Sequence, residues 1–156
     1  MCATHSHELL LIRPLLAAAL CLLGAPSIAA PPRATDVTLT VVTRDMRNAR
    51  GRLRVALFDS TGGFPGGWER STRQYEGAMR TPDDTVVLRG VPTGRWAVAV
   101  HHDENANGAM DERFWGAPKE GWGATRDPRP RVRPPRFAEA AITLTRDTTV
   151  VVRLTY

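Results

Sequence analysis

Six short segments in which apolar and polar residues alternate constrain the fold of this chain more than any other feature. In 36–43, Val37, Leu39 and Val41 alternate with threonines, which places the apolar side chains on one face of a strand. β-branched residues are frequent in these segments, and turn-forming residues separate them. No segment has a sustained helical apolar period. The predicted strands are 36–43, 51–59, 85–91, 94–103, 137–145 and 148–156.

Strands at this spacing predict an all-β fold. We expect an antiparallel β-sandwich of about seven strands, immunoglobulin-like or transthyretin-like, with a barrel as the alternative arrangement. An additional strand or a short helix is expected near 69–78. Arg146 and Asp147 separate the last two predicted strands and are expected to form a tight hairpin turn.

The N-terminal residues 1–30 are typical of a secretory signal peptide. Arg13 precedes a short apolar core at 15–25, and small residues follow it. The core is shorter than the roughly 20 residues that a membrane helix needs, and the mature chain contains no other apolar segment long enough to span a membrane. We therefore predict an exported protein, periplasmic or secreted, with one β-sandwich domain over 31–156.

The predicted cleavage also removes both cysteines, Cys2 and Cys21. The mature protein would then have no disulfide and no thiol nucleophile, although its compartment is oxidising. The formal net charge of the chain is +5, which suits anionic partners. Export and the absence of a recognisable binding motif count against nucleic acid as the partner.

A basic segment near the C-terminal third alternates arginine with proline. Proline keeps such a segment extended, and guanidinium groups bind phosphates and carboxylates well. Anionic envelope components are therefore candidate partners, and a solvated, mobile loop is the alternative. The arginines concerned are Arg126, Arg129, Arg131, Arg133 and Arg136.

The loop after the fourth predicted strand follows the opening of a calcium-binding loop, D-x-[DN]-x-[DN]-G. Phe114 stands at the twelfth position, where such a loop needs a bidentate glutamate, and no helices flank the loop. An EF-hand is therefore excluded, and any Ca²⁺ that this loop binds is expected to bind weakly. The candidate ligands are Asp103, Asn105, Asn107, the carbonyl of Ala109, and Asp111, with Glu104, Glu112 or Glu120 as additions.

The alternative to a calcium loop is a metal-free turn. Asp and Asn side chains bond to nearby backbone N–H groups, and Asn107-Gly108 is a favoured turn pair. Either way, the loop is expected to form a structured tip at the end of a strand.

His101 and His102 are candidates for a hydrolytic site together with Glu104. Neighbouring residues of a strand point to opposite faces, so the two histidines are not expected to ligate one ion together. No serine in a nucleophile motif lies near them in sequence. Packing of one histidine and solvation of the other is the competing interpretation.

Two long segments between strands, 60–84 and 105–136, carry several aromatic residues. Long loops in compact domains are often functional, and loop aromatics are expected to pack over one end of the sandwich or to bind a partner. Trp68, Trp115 and Trp122 are the candidate surface for a small apolar ligand.

The stretches "GRLRVALFD", "VPTGRWAVAVHHDENANGAMDERFWGAPKEGWG" and "VVVRLTY" resemble a family of small exported bacterial proteins catalogued as a domain of unknown function, number twenty-one forty-one in that series. The resemblance extends from about Gly51 to Tyr156. It implies an exported β-sandwich and no established activity. "VPTGRWAVAV" is also similar to a strand of transthyretin-like and carboxypeptidase-regulatory-like sandwiches, which implies fold alone.

The function that these patterns favour is a non-enzymatic exported binding or envelope-associated module of unknown ligand. Its 103–111 loop would be stabilised by Ca²⁺. A hydrolytic enzyme acting through His101, His102 and Glu104 and a carrier for a small apolar ligand are the alternatives.

Overall fold

The computed structural model describes residues 35–156, which form mainly β-strands. The described residues contain a short 3-10 helix at Trp68–Arg70 and one helical turn, α1, at Phe137–Ala140. None of their helices is long and apolar enough to cross a membrane. The predicted signal peptide, residues 1–30, lies outside the described residues. The strands are β1 (Asp36–Arg44), β2 (Arg52–Phe58), β3 (Arg73–Ala78), β4 (Asp84–Pro92), β5 (Gly94–Asp103), β6 (Gly121–Ala124), β7 (Ile142–Leu144) and β8 (Thr148–Arg153).

These strands form two sheets, which confirms the predicted β-sandwich. One sheet has the order β4-β1-β8, and the other has the order β3-β2-β5-β6, with β7 pairing to the start of β5. Every strand pair is antiparallel except β1 with β8, which run parallel. The strand expected near 69–78 is β3, and β6 is a further strand that the sequence patterns did not indicate.

The main hydrophobic core lies between the two sheets. The strand alternation predicted its members correctly, because the residues expected to face inward from β1 and β2 are buried. Apolar residues of β4, β5 and β8 complete the same cluster. Those predicted residues of β1 and β2 are Val37, Leu39, Val41, Leu53, Val55 and Leu57.

The predicted strand 137–145 is wrong in its first half. Phe137–Ala140 forms a turn of helix, and only Ile142–Leu144 is a strand. The Glu139 carboxylate accepts a bond from the Arg136 backbone N–H at 2.8 Å and so stabilises the start of the helix. Alanine and glutamate also favour helix over strand.

The predicted hairpin at Arg146 and Asp147 is also wrong. β7 pairs with β5 and β8 pairs with β1, so the two residues connect one sheet to the other. The Asp147 carboxylate accepts a bond from the Thr38 N–H at 2.7 Å and thereby ties this connection to β1. Length and turn residues alone do not distinguish such a connection from a hairpin.

Candidate ligand-binding cleft

The outer face of the five-stranded sheet carries a row of polar and aromatic residues. The strand registers place Glu76 of β3 opposite Arg54 of β2, Arg54 opposite His101 of β5, and His101 opposite Trp122 of β6. Residues paired in this way point to the same face of a sheet. Four strands therefore contribute one side chain each to a continuous row.

The next row along the same face consists of alanines. Ala56, Ala99 and Ala124 are aligned across β2, β5 and β6. Their small side chains leave room for a second hydrophobic cluster, which covers this end of the face. In that cluster the Phe64 ring meets Phe58 at 5.4 Å and Phe137 at 6.1 Å between centroids.

A half-open cleft of about 930 Å³ lies on the outer face beside the polar row. Three tryptophans from separate parts of the chain line it: Trp68 in the 3-10 helix, Trp115 in the loop after β5, and Trp122 in β6. The sequence had proposed the same three residues as a ligand surface. His101 and Arg54 also line the cleft, which adds polar groups to an aromatic wall.

Strand β6 is shaped for this arrangement by glycines on either side of Trp122. Gly121 and Gly123 occupy the positions of β6 that face away from the cleft, where the C-terminal segment passes close to the strand. A Cβ on Gly123 would lie 2.7 Å from the Arg153 carbonyl oxygen, and one on Gly121 would lie 2.6 Å from the Tyr156 ring. Only glycine therefore allows β6 to pack this closely while its tryptophan faces the cleft.

Arg54 holds one tryptophan of the cleft in place. Its guanidinium carbon lies 4.9 Å from the centroid of the Trp68 ring, within range of a cation–π interaction. The same group lies 3.4 Å from the Glu76 carboxylate and donates a hydrogen bond to the Gly108 carbonyl. Arg54 thus joins the 3-10 helix, strand β3 and the loop after β5.

His101 is buried at the cleft and pairs with a carboxylate that lies far away in sequence. Its Nε2 is 2.9 Å from Oε2 of Glu120, which is also buried. Glu120 additionally accepts the backbone N–H groups of Glu104 at 2.9 Å and Asp111 at 3.2 Å. A carboxylate can accept all three bonds, so the His101 Nε2 proton is the donor. Glu120 therefore fixes both the histidine ring and the two ends of the loop.

His101 offers one nitrogen beyond this pair. Within residues 35–156, Nδ1 of His101 has no hydrogen-bond partner, and no hydroxyl group in that range bonds to either of its nitrogens. The geometry accordingly provides a polar contact for a molecule in the cleft.

His102 lies on the opposite face, as strand alternation predicted. Its Nε2 is 2.8 Å from the Arg50 carbonyl oxygen, and its Nδ1 is 2.7 Å from the Tyr156 hydroxyl. The carbonyl requires Nε2 to be the donor, so Nδ1 accepts the tyrosine proton. Burial raises the pKa of Tyr156, which keeps that proton in place. Both nitrogens of His102 therefore stabilise the fold.

Glu104 does not join either histidine in a catalytic group. Its carboxylate receives two hydrogen bonds from Arg47, with Nε–Oε1 at 2.5 Å and Nη2–Oε2 at 2.8 Å. The hydrogen bond from Arg47 lowers the pKa of Glu104. Glu104 lies 3.8 Å from Nδ1 of His102, a nitrogen that already accepts the Tyr156 hydroxyl. The carboxylate beside His101 is Glu120, which the sequence had suggested only as an extra calcium ligand.

The 103–111 loop satisfies its own polar groups. The two oxygens of Asp103 accept the backbone N–H groups of Asn107 at 3.1 Å and Gly108 at 2.8 Å. The two oxygens of Asp111 accept the side-chain amides of Asn105 at 2.9 Å and Asn107 at 3.0 Å. Asp103 is buried beneath the loop. These contacts are those expected of Asx turns.

The five proposed calcium ligands therefore lie together in one loop, but the side-chain oxygens of four of them accept N–H groups of the same loop. Among residues 35–156, no three His, Cys, Asp or Glu side chains cluster closely enough to hold a metal ion. The Ala109 N–H donates to the Asn107 side-chain oxygen at 2.7 Å, so this amide oxygen is also used. Ca²⁺ would have to replace several of these bonds.

The five arginines of the basic segment do not form one uniform surface. Arg133 makes a two-bond ion pair with Glu139, and the pKa of this glutamate falls to about 2 mainly because of that pair. Arg129 donates to the Arg153 carbonyl at 2.8 Å. Arg126 donates to a carbonyl at 3.5 Å, and Arg136 adjoins α1. Arg131 has no ion pair or hydrogen bond to any residue in 35–156.

Comparison with known proteins gives one match. Residues 41–152 match a family model described as an uncharacterized protein conserved in bacteria, DUF2141. The match includes the 103–111 loop, β6 and the three cleft tryptophans. No curated protein and no solved structure matched the chain.

Proposed function

The chain belongs to this bacterial family of uncharacterized proteins, and we propose that it is a non-enzymatic binding module of the bacterial envelope whose ligand site is the tryptophan-lined cleft. Export is part of the proposal and is supported by the signal-peptide pattern of residues 1–30. The ligand class is a small, mainly apolar molecule with a ring or chain that stacks on indole.

The observation that carries the proposal is the convergence of Trp68, Trp115 and Trp122 on one cleft. Trp68 comes from a 3-10 helix that is far in sequence from the loop of Trp115 and the strand of Trp122. Packing against the second hydrophobic cluster accounts for part of the burial of Trp68, but core packing does not explain Trp115, which is 61% exposed. Concave sites with an aromatic wall and few polar groups are typical of small-ligand binding.

The polar groups of the cleft favour binding over chemistry. Arg54 is already engaged with Trp68 and Glu76, and His101 is held by Glu120. Nδ1 of His101, which has no hydrogen-bond partner within residues 35–156, provides one directional contact. A volume of about 930 Å³ is within the range of clefts that hold molecules of drug-like size.

A titration with N-phenylnaphthylamine, an uncharged apolar dye, tests the proposal. We expect the dye to bind the purified protein with a rise in its fluorescence and to quench tryptophan emission. Trp122→Ala should weaken binding at least tenfold, because it removes the central aromatic wall. Tyr75→Ala is the matched control, since Tyr75 is an exposed aromatic residue of β3 that does not line the cleft. Equal affinity of the Trp122→Ala variant and the wild-type protein would refute the cleft as the site.

Calcium stabilisation of the 103–111 loop stays a prediction with its own test. An ion that binds only the native state raises its melting temperature. Asp111→Asn is the sharper variant, because the Asp111 carboxylate accepts only side-chain amides, whereas Asp103 supports the backbone. We expect millimolar Ca²⁺ to raise the melting temperature of the wild-type protein over its value in EDTA, and Asp111→Asn to abolish that rise. A melting temperature that Ca²⁺ leaves unchanged removes calcium from the proposal.

A further inference from the structure

A short hairpin in the loop after β5 presents two aromatic side chains to solvent. Glu112 pairs with Pro118 across the hairpin. Phe114 and Trp115 form its tip and are 97% and 61% exposed, respectively. Their rings meet edge to face at 4.5 Å between centroids. These are large apolar groups that the described residues leave uncovered.

Backbone hydrogen bonds hold the tip in this position. The Arg113 N–H donates to the Ala117 carbonyl at 2.8 Å, and the Gly116 N–H donates to the Arg113 carbonyl at 2.8 Å. Gly116 has φ of +81° and closes the turn in a conformation that favours glycine. The backbone of the hairpin is therefore fixed with Phe114 and Trp115 at its tip.

A third exposed apolar side chain lies in a different loop that lines the same cleft. Val132, in the proline-rich segment 128–136, is 96% exposed. Val132 and Trp115 both line the cleft. Single exposed apolar residues need no explanation. Two neighbouring loop tips, carrying three such residues between them, mark an interaction surface.

Cationic groups flank these tips. The Arg113 guanidinium carbon lies 5.6 Å from the Trp115 ring centroid. Arg131, directly before Val132, has no ion pair or hydrogen bond within residues 35–156, and Arg133 follows it with its charge shared by Glu139. Glu112 is the acidic residue of the hairpin itself, and the whole chain has a net charge of +5. The surface is therefore apolar at its tips and cationic around them.

We propose that this surface docks on an anionic phospholipid bilayer, with Phe114, Trp115 and Val132 entering the interface while Arg113 and Arg131 contact lipid phosphates. Aromatic and aliphatic side chains beside arginines are the combination that partitions into the lipid headgroup region. Guanidinium groups pair with phosphate oxygens in a planar, two-bond geometry. Docking places the cleft mouth at the lipid surface. It does not depend on which molecule the cleft binds.

Co-sedimentation with vesicles tests this proposal. One vesicle population contains phosphatidylglycerol with phosphatidylcholine, and the other contains phosphatidylcholine alone. We expect the protein to sediment with the anionic vesicles and much less with the neutral ones, and high salt should weaken the interaction. Brominated phosphatidylcholine in the anionic vesicles should quench Trp115, whereas Trp96, buried between the sheets, should keep its emission. A protein that stays in the supernatant with both populations overturns the proposal.

Substitutions separate the tips from the charges. The double variant Phe114→Ser with Trp115→Ser should bind anionic vesicles at least tenfold more weakly, and Arg131→Gln about fivefold more weakly. Val87→Ser is the matched control, because Val87 is 48% exposed on β4 and away from the cleft. All these side chains are exposed, so the midpoint of denaturant unfolding should be the same for the variants and the wild-type protein. If the double variant binds anionic vesicles as well as the wild-type protein does, the docking proposal is wrong. It is also wrong if the double variant changes the oligomeric state of the protein but leaves vesicle binding intact.

Discussion

The two faces of the five-stranded sheet are built from different residues and make different contacts. The inner face carries Leu53, Leu57 and Val98, which fill the space against the other sheet. The outer face carries a row of alanines and then the row that contains Arg54 and His101. Because the outer face is not consumed by packing against a second sheet, it can hold a cleft. The proposed ligand site thus lies on the side of these strands opposite the main core.

The neighbouring histidines show this contrast within one dipeptide. His102 uses both nitrogens to join Arg50 and Tyr156 on the inner side. His101 uses one nitrogen to bind Glu120 and turns its ring toward the outer cleft, with Trp68 at 6.2 Å between ring centroids. Equal chemical groups therefore differ in role because the strand alternates.

Truncation of one inner residue should give the largest effect on stability. Leu53→Ala removes a fully buried side chain, and we expect the free energy of unfolding to fall by about 2–5 kcal/mol, as for other buried leucines. Arg54→Ala, at the next position on the outer face, should cost less, about 1–2 kcal/mol, because it removes a cation–π interaction, a half-exposed ion pair and one hydrogen bond to a carbonyl. Urea unfolding of the two variants measures both. Equal losses would contradict the division between the faces.

Exchange of the two histidines for alanine should give the next largest difference. His102→Ala leaves the Arg50 carbonyl and the Tyr156 hydroxyl without their partner, and we expect a loss of about 2–4 kcal/mol from unpaired groups and an added cavity. His101→Ala should cost about half as much, roughly 1–2 kcal/mol, because Glu120 keeps its two backbone N–H donors. His101→Ala should also lower dye affinity, whereas His102→Ala should leave it unchanged wherever the protein is folded. The assignment of the two faces would be wrong if His101→Ala lost more stability than His102→Ala. It would also be wrong if His102→Ala lowered dye affinity more than His101→Ala.

The smallest expected effect is a pH dependence from the Arg47–Glu104 pair. The folded state lowers the pKa of Glu104 below its ordinary value of 4.5. The pair therefore stabilises the protein fully above that value, and its contribution is lost as the pH falls through the lowered folded-state pKa. We expect a contribution of about 0.3–1 kcal/mol, since solvent screens the exposed arginine.

Melting temperatures below pH 5 test this expectation. Arg47→Met should remove part of the acid-dependent decrease, while Arg44→Met, which breaks the half-exposed pair with Asp83, should not. Identical pH profiles of the Arg47→Met and wild-type proteins would mean that the pair does not couple to folding.

The inner face could be predicted from the sequence, and the partner of His101 could not. Alternation alone assigns Leu53 and Val55 to the core, because strand geometry repeats every second residue. Glu120 lies 19 positions after His101 and reaches it only through the register of β6 on β5. Register depends on contacts with the rest of the sheet, which a single strand does not encode. Glu104, which is close to His101 in sequence, instead lies 3.8 Å from His102.

The connectivity of the last strands illustrates a second limit. The alternation in β8 predicted its buried residues, but Arg146 and Asp147 have the length and composition of a hairpin turn as well as of a link between sheets. The decision lies in the pairing of β8 with β1, whose edge is available because β4 occupies only its other side. Tryptophan clustering was predictable only as a tendency of loop aromatics to pack. The cleft itself depends on the tertiary arrangement of three segments.

The glycine–tryptophan–glycine stretch of β6 has a consequence for how this sequence tolerates change. In a library randomised at these three positions and sorted for folded protein alone, Gly121 and Gly123 should return almost unchanged, because backbone and ring atoms occupy the place of any added carbon. Trp122 should return as many residue types. Folding therefore determines the residues at positions 121 and 123. Position 122 is not constrained by folding, so the residue found there reflects selection for the proposed binding function.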